Sequence, residues 1–194
     1  KSLGVDLLSI SGHKIHGPKG VGALYIRKGT RIAPILYGGG QQDNLRSGTE
    51  NVPGIAGLGM AAQICFYNMK EAVPRMEMLR QRLAAGIAEN IPDIRINTPE
   101  ECAPHILNIS FHGVRAEVVL HSLENEEIYV SSGSACSSHK KEPSYVLTAI
   151  GVSRDWIDGS IRFSLSEMNT QEDIDAVVAV LPAIIERLRK LNLS

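Results

Sequence analysis

The chain has 194 residues, 20 lysines and arginines against 21 aspartates and glutamates, and 43% hydrophobic residues. That balance is typical of a globular protein able to bury a sizeable core, and it argues against a basic face for nucleic acid or an acidic tail. No apolar run reads as a signal peptide or a membrane span, so the expected location is the cytoplasm, away from any membrane.

In chain order, "DLLSIS" (6–11) and "GALYIRK" (22–28) read as strands, the first of them as a buried one. Between them lies the polar, glycine-containing turn "GHKIHGPKGV", and after them the long loop "LYGGGQQDNLRSGTENVPG". Long glycine-rich loops tend to carry function. From about Pro53 to Asn90, apolar residues recur at three- and four-residue spacings: Ile55, Leu58, Ala62, Cys65, Met69, Val73, Met76, Leu79, Leu83 and Ile87. This predicts a helix that Pro74 should kink or divide, and it is the best candidate for a domain boundary. Strands "IRINT" and "ILNISF" follow, then a helix over 115–125 and the strand "IYVSS". After the loop "GSACSSHKKEP" come a short helix "SYVLTAIG", the strand "SIRFSLS" and a last helix. Thr170 should cap that helix, with Glu172 and Asp173 in its first turn and Arg187, Arg189 and Lys190 in its last turns. Lys1 is not a methionine and a buried strand begins within a few residues of it, so a missing N-terminal part is expected.

The three cysteines, Cys65, Cys102 and Cys136, are odd in number and show no CxxC spacing, which predicts free thiols and no zinc site. Cys65 falls on the apolar helical stripe and should be a buried structural cysteine. Cys136 stands on a loop of small and polar residues, where a thiol can reach a substrate and swing away. Lys14 follows a predicted buried strand, in a turn with Ser11, Gly12 and His13. A lone lysine is usually a solvated surface residue. One partly fenced from water has a lowered ammonium pKa and an amine free for Schiff-base chemistry.

The residues around Lys14 carry a resemblance. "SGHK" followed by "GPKGVGALY" resembles the lysine motif of the fold-type I pyridoxal-phosphate enzymes of the aminotransferase class V group, and within them the cysteine desulfurases of the NifS and IscS type. The "GSAC" motif with a long following loop is similar to the same branch, and less similar to the branch with a "GHHC"-type motif. The resemblance implies an α/β fold, the C-terminal part of a fold-type I transferase. Residues 1–70 would end the large mixed-sheet cofactor domain, and 71–194 would form a small α+β domain carrying the cysteine loop. It covers essentially the whole chain but only about the second half of the family pattern.

The resemblance also assigns roles. Lys14 forms the Schiff base with pyridoxal 5'-phosphate, and Ser11 and His13 contact its phosphate. Thr49 of "RSGT" reaches the cofactor phosphate of the opposite subunit, which implies a homodimer. Arg162, in a strand flanked by apolar residues, clamps the substrate carboxylate; read from the strand alone, a structural salt bridge is the alternative. Cys136 takes sulfur from L-cysteine as a persulfide, releasing L-alanine, and passes it to acceptors such as an iron–sulfur scaffold protein or a thiolation enzyme. Independently of the resemblance, His139 and Lys140 lie close to Cys136 in sequence and are candidates to assist, by lowering the Cys136 pKa or by deprotonating the substrate thiol. Two other readings stay open: a selenocysteine lyase or other class V enzyme, and an inactive fragment serving as a docking module for sulfur acceptors.

Overall fold

The computed structural model describes residues 3–132 and 143–192. It divides into two compact units, Lys1–Met69 and Lys70–Ser194. A single helix, α1 (Val52–Asn90), belongs to both.

The first unit is built on a hairpin. Strand β1 (Leu7–Ser11) pairs antiparallel with β2 (Gly22–Ile26), Leu7 opposite Ile26 and Ser11 opposite Gly22. An ion pair between Asp6 and Arg27 at 3.0 Å closes the open end, where Arg27 also donates to the Gly4 carbonyl. The expected buried strand is not buried here: Leu7, Leu8 and Ile10 are all exposed, Ile10 by 41%. The physical reason is topological, since a two-stranded ribbon without a further layer leaves both faces open to water.

Helix α1 runs unbroken through Pro74, so the expected division does not occur. Proline removes one backbone donor, the one that would have met the Lys70 carbonyl four residues back. Lys70 and Pro74 are both exposed, so water can take that partner's place. At the start of the helix, the Asn51 side-chain oxygen accepts from the Gly54 N–H at 3.1 Å and satisfies one of the orphan donors.

The second unit is a two-layer α/β structure. Its four-stranded antiparallel sheet has the order β3 (Ile94–Ile96), β4 (Ile106–Phe111), β6 (Ser160–Ser164), β5 (Ser131–Ser132). Strand alternation gives the sheet two chemically different faces. Leu107 pairs with Phe163 and Ile109 with Ile161, and these residues, with Phe111, are buried. They join Leu79, Leu83 and Ile87 of α1, Val119 and Leu123 of α2 (Ala116–Glu124), and Ile174, Leu181 and Ile185 of α5 (Gln171–Asn192) in one apolar cluster. Each such side chain contributes roughly 1.5–3 kcal/mol on leaving water. The opposite face carries Asn108, Ser110, Ser160 and Arg162, paired Asn108 to Arg162 and Ser110 to Ser160.

Helix α5 starts as its sequence requires. The Thr170 hydroxyl accepts from Asp173 N–H at 3.3 Å while Asp173 accepts from Thr170 N–H at 3.0 Å, a reciprocal cap. Near its other end, Arg189 donates to the carbonyls of His112, Pro92 and Asp93 at 2.9–3.0 Å, satisfying three turn carbonyls at once. Two short helices, α3 (Tyr145–Ala149) and α4 (Arg154–Ile157), precede β6. The expected strand over 128–132 shrinks to two residues because Ile128 gives its N–H to Leu123 O at 3.0 Å, closing α2 rather than joining the ladder.

Candidate functional site

Lys14 sits in a 3₁₀ turn, Gly12–Ile15, that continues directly from β1. Gly12 N–H bonds to Val21 O at 2.9 Å, and the Gly12 carbonyl accepts from both His16 and Gly17, so one residue anchors both limbs of the turn. A Cβ at Gly12 would lie 3.0 Å from the carbonyls of Pro18 and Val21, and one at Gly22 would lie 2.5 Å from the Ile10 carbonyl. Backbone passes too close at both points for any side chain, which is why the lysine turn is walled by glycine. The result is a rigid platform with Ser11, His13 and Lys14 on it, all three exposed. The expected fencing of Lys14 from water is therefore not supplied by the described residues of this unit.

The glycine-rich loop also has internal order. Leu36 bridges Arg46, the Ser47 hydroxyl donates to Gly39 O at 2.8 Å, and Gly48 N–H donates to the Gln41 side chain at 3.1 Å. Gln42, Asp43 and Asn44 are consecutive left-handed residues, with φ between 50° and 63°. Such a run is costly for residues with a Cβ, and a bonded loop must hold it in place. Thr49 follows this loop, exposed, two residues before the Asn51 cap of α1.

In the second unit, Arg162 is half-buried on the polar face of the sheet. No salt bridge to it is present among the described residues. Its Nη2 donates to the Ser131 hydroxyl at 3.4 Å, and its Nε is buried without a partner among the described residues. Beside it runs a row of small polar groups. Asn97 donates to Asn108 Oδ1 at 2.7 Å and to Ser110 Oγ at 2.8 Å, and Ser160 donates to Asn108 Oδ1 at 3.0 Å. Ser110 and Ser160 are buried. Sequence reasoning singled out Arg162 and missed this row, although alternation puts Asn108 and Ser110 on one side of "ILNISF" and Ser160, Arg162 and Ser164 on one side of "SIRFS". Cys136, His139 and Lys140 lie outside the described residues.

Cys65 is exposed on α1, correcting its assignment as a buried structural thiol; Cys65 and Cys102 are both free. Among the described residues there is no metal-binding cluster, and no helix is long and apolar enough to cross a membrane. Two clefts of about 430 Å³ each lie in the second unit, one between α1 and α5 at Arg82 and Asp175, the other beside Tyr129, Phe163 and Leu165. Neither is lined by Lys14, Thr49 or Arg162.

Residues 1–177 match the family described as Aminotransferase class-V. The chain is 47% identical over 193 residues to the cysteine desulfurase IscS of Methanosarcina thermophila, covering 99% of this chain and 48% of that protein. It is 48% identical over 191 residues to the cysteine desulfurase IscS of Dictyoglomus turgidum, with 98% and 48% covered. Among solved structures, a NifS-like protein superimposes with a TM-score of 0.84 at 41% identity, covering 96% of this chain and 48% of that one. The NifS-like protein from Rickettsia africae gives 0.84 at 34%, with 95% and 49% covered. The chain thus spans about half the length of the curated relatives it matches, and its α/β fold is that of part of a NifS-like fold. The lysine turn, the arginine strand and these matches together place the chain in the aminotransferase class-V family.

Proposed function

We propose that this chain carries the lysine, cysteine and arginine of a pyridoxal-phosphate-dependent cysteine desulfurase. The reading rests chiefly on one observation: Lys14 stands on a turn held by glycine contacts, its amine free of any partner among the described residues, with a hydroxyl and an imidazole on the same platform. That donor set fits a group bearing an aldehyde and a phosphate, because the amine can join the one while Ser11 and His13 give hydrogen bonds to the other. When bound, pyridoxal phosphate supplies an aldehyde for amines and a ring that withdraws electrons from the adjacent carbon.

The chain's own residues then divide the work. Lys14 Nζ would hold the cofactor through its aldehyde and, as a free amine, would move the proton at the substrate α-carbon. Arg162 binds the carboxylate of L-cysteine, its planar guanidinium matching two carboxylate oxygens. Cys136, as thiolate, attacks the substrate sulfur; the S–S bond of a persulfide forms as the substrate Cβ–S bond breaks, its electron pair goes to the carbon skeleton, and that skeleton takes up protons and leaves as L-alanine. The persulfide goes on to an acceptor such as an iron–sulfur scaffold protein. In this reading the first unit belongs to the large cofactor domain, the second is the small domain with the cysteine loop, the working form is a cytoplasmic homodimer, and Thr49 serves the partner's cofactor.

The test adds pyridoxal phosphate, records the absorption spectrum, reduces with borohydride and maps the label by mass spectrometry. The expected result is a single pyridoxyl adduct on Lys14, absent in Lys14→Ala. A second reading, a docking module without catalysis, is favoured by the exposure of Lys14, Ser11, His13 and Thr49. Absence of label on the intact chain supports that reading and removes the first for this chain.

A further inference from the structure

We propose that Ser131 is the positioning residue for Arg162, and this rests on the reading of Arg162 as the group that binds a substrate carboxylate. The two are direct cross-strand partners, Ser131 on β5 and Arg162 on β6. Opposed residues of an antiparallel pair put their Cβ atoms about 4.5–5.5 Å apart on one face, so the hydroxyl meets the guanidinium without spanning a loop. Nη2 donates to Ser131 Oγ, the one hydrogen bond the guanidinium makes to the described residues.

A long, flexible arginine held by one hydrogen bond among the described residues samples several rotamers, and that freedom has to be given up when a carboxylate binds. Ser131 takes one hydrogen of Nη2 and removes part of that cost in advance. Nε is buried and without a partner among the described residues; in this reading the donors offered to a ligand are those of Nη1 and the second hydrogen of Nη2. They form the parallel pair that fits two carboxylate oxygens. On the other side of Arg162, its cross-strand partner Asn108 is already engaged, its Oδ1 accepting from Asn97 and Ser160. That acceptor is occupied and does not compete for the guanidinium. Ser131 is thus the adjustable contact, and the Asn97–Asn108–Ser160 row is the fixed wall.

The experiment labels the arginines of the intact chain with nitrogen-15 and follows the Arg162 side-chain resonances during titration with 3-mercaptopropionate, a thiol carboxylate. Cysteamine, a thiol amine lacking the carboxylate, is the control probe, and Arg162→Lys assigns the resonances. We expect the carboxylate to move the Arg162 signals and cysteamine to leave them in place. Ser131→Ala should weaken the apparent affinity about threefold to tenfold with the backbone spectrum otherwise retained, and Ser131→Thr should restore it. Equal affinity in Ser131→Ala and the parent overturns the positioning role and leaves Arg162 as the carboxylate site. No response of Arg162 to the carboxylate in the parent overturns the arginine reading, and the positioning role falls with it.

Discussion

The two halves of α1 carry the same three- and four-residue apolar spacing and meet opposite fates. Leu79, Leu83 and Ile87 are buried in the cluster that also holds Phe111, Leu181 and Ile185. Ile55, Ile64 and Met69, on the same helix, are exposed by about half, and among the described residues of the first unit Ala61 is the one apolar side chain counted as buried. Periodicity therefore reports which side of a helix is apolar and says nothing of what covers it. Contiguous apolar surface of this kind marks a place where another surface packs. The second unit, by contrast, has three helical segments on one face of a four-stranded sheet and closes its own core.

The contrast can be broken most directly by deleting one large side chain from each unit. Phe111→Ala in the second should cost about 3–5 kcal/mol, the usual range for emptying a fully buried aromatic site. Ile10→Ala in the first, already 41% exposed, should cost no more than about 1 kcal/mol. Urea unfolding followed by circular dichroism checks both, and comparable losses at the two positions would erase the distinction between the units.

A smaller effect comes from acid. The Thr170 N–H, then the Asn169 side-chain amide, hold the Asp173 carboxyl below the ordinary aspartate range. The unfolded chain binds that proton more readily, so this contribution is fully present above the ordinary aspartate pKa and lost as pH falls through the lower folded value. Asp173→Asn should flatten the acid limb of the stability–pH curve of the second unit. An unchanged limb would show that the cap of α5 is not coupled to the core beneath it. Least of all should be felt at Cys65, where Cys65→Ser is expected to shift stability by less than about 0.5 kcal/mol because the side chain is exposed. A larger loss would mean that the first half of α1 is covered in solution.

Much of this architecture was legible in the sequence because it depends on local periodicity. The two strands of the first unit, the apolar stripe of α1, the strands β3, β4 and β6, and Thr170 as the cap of α5 were readable from alternation, helical spacing and cap residues. Lys14 and Arg162 stood out because a charge beside apolar runs needs a reason. Helix α4 was missed, since one turn of "RDWI" is too short to show a period. The burial of Leu8 and Cys65 was misjudged because burial depends on layers that may come from anywhere in a chain or its partners. Ser131 and the asparagine row escaped notice because their part depends on pairing across distant strands, with Ser131 and Arg162 31 positions apart.

Along β6 the side chains point alternately into the apolar cluster and onto the polar face of the sheet. Shifting that strand by a single residue against β4 would drive the guanidinium of Arg162 among Leu107, Ile109 and Phe111 and turn Ile161 and Phe163 outward. An insertion or deletion inside Ser160–Ser164 would thus strike the arginine face and the hydrophobic interior together, and Gly159 just before the strand, where a Cβ would collide with the Phe111 carbonyl, leaves no slack on that side. A frame of five residues couples the folding of this sheet to the aim of its arginine.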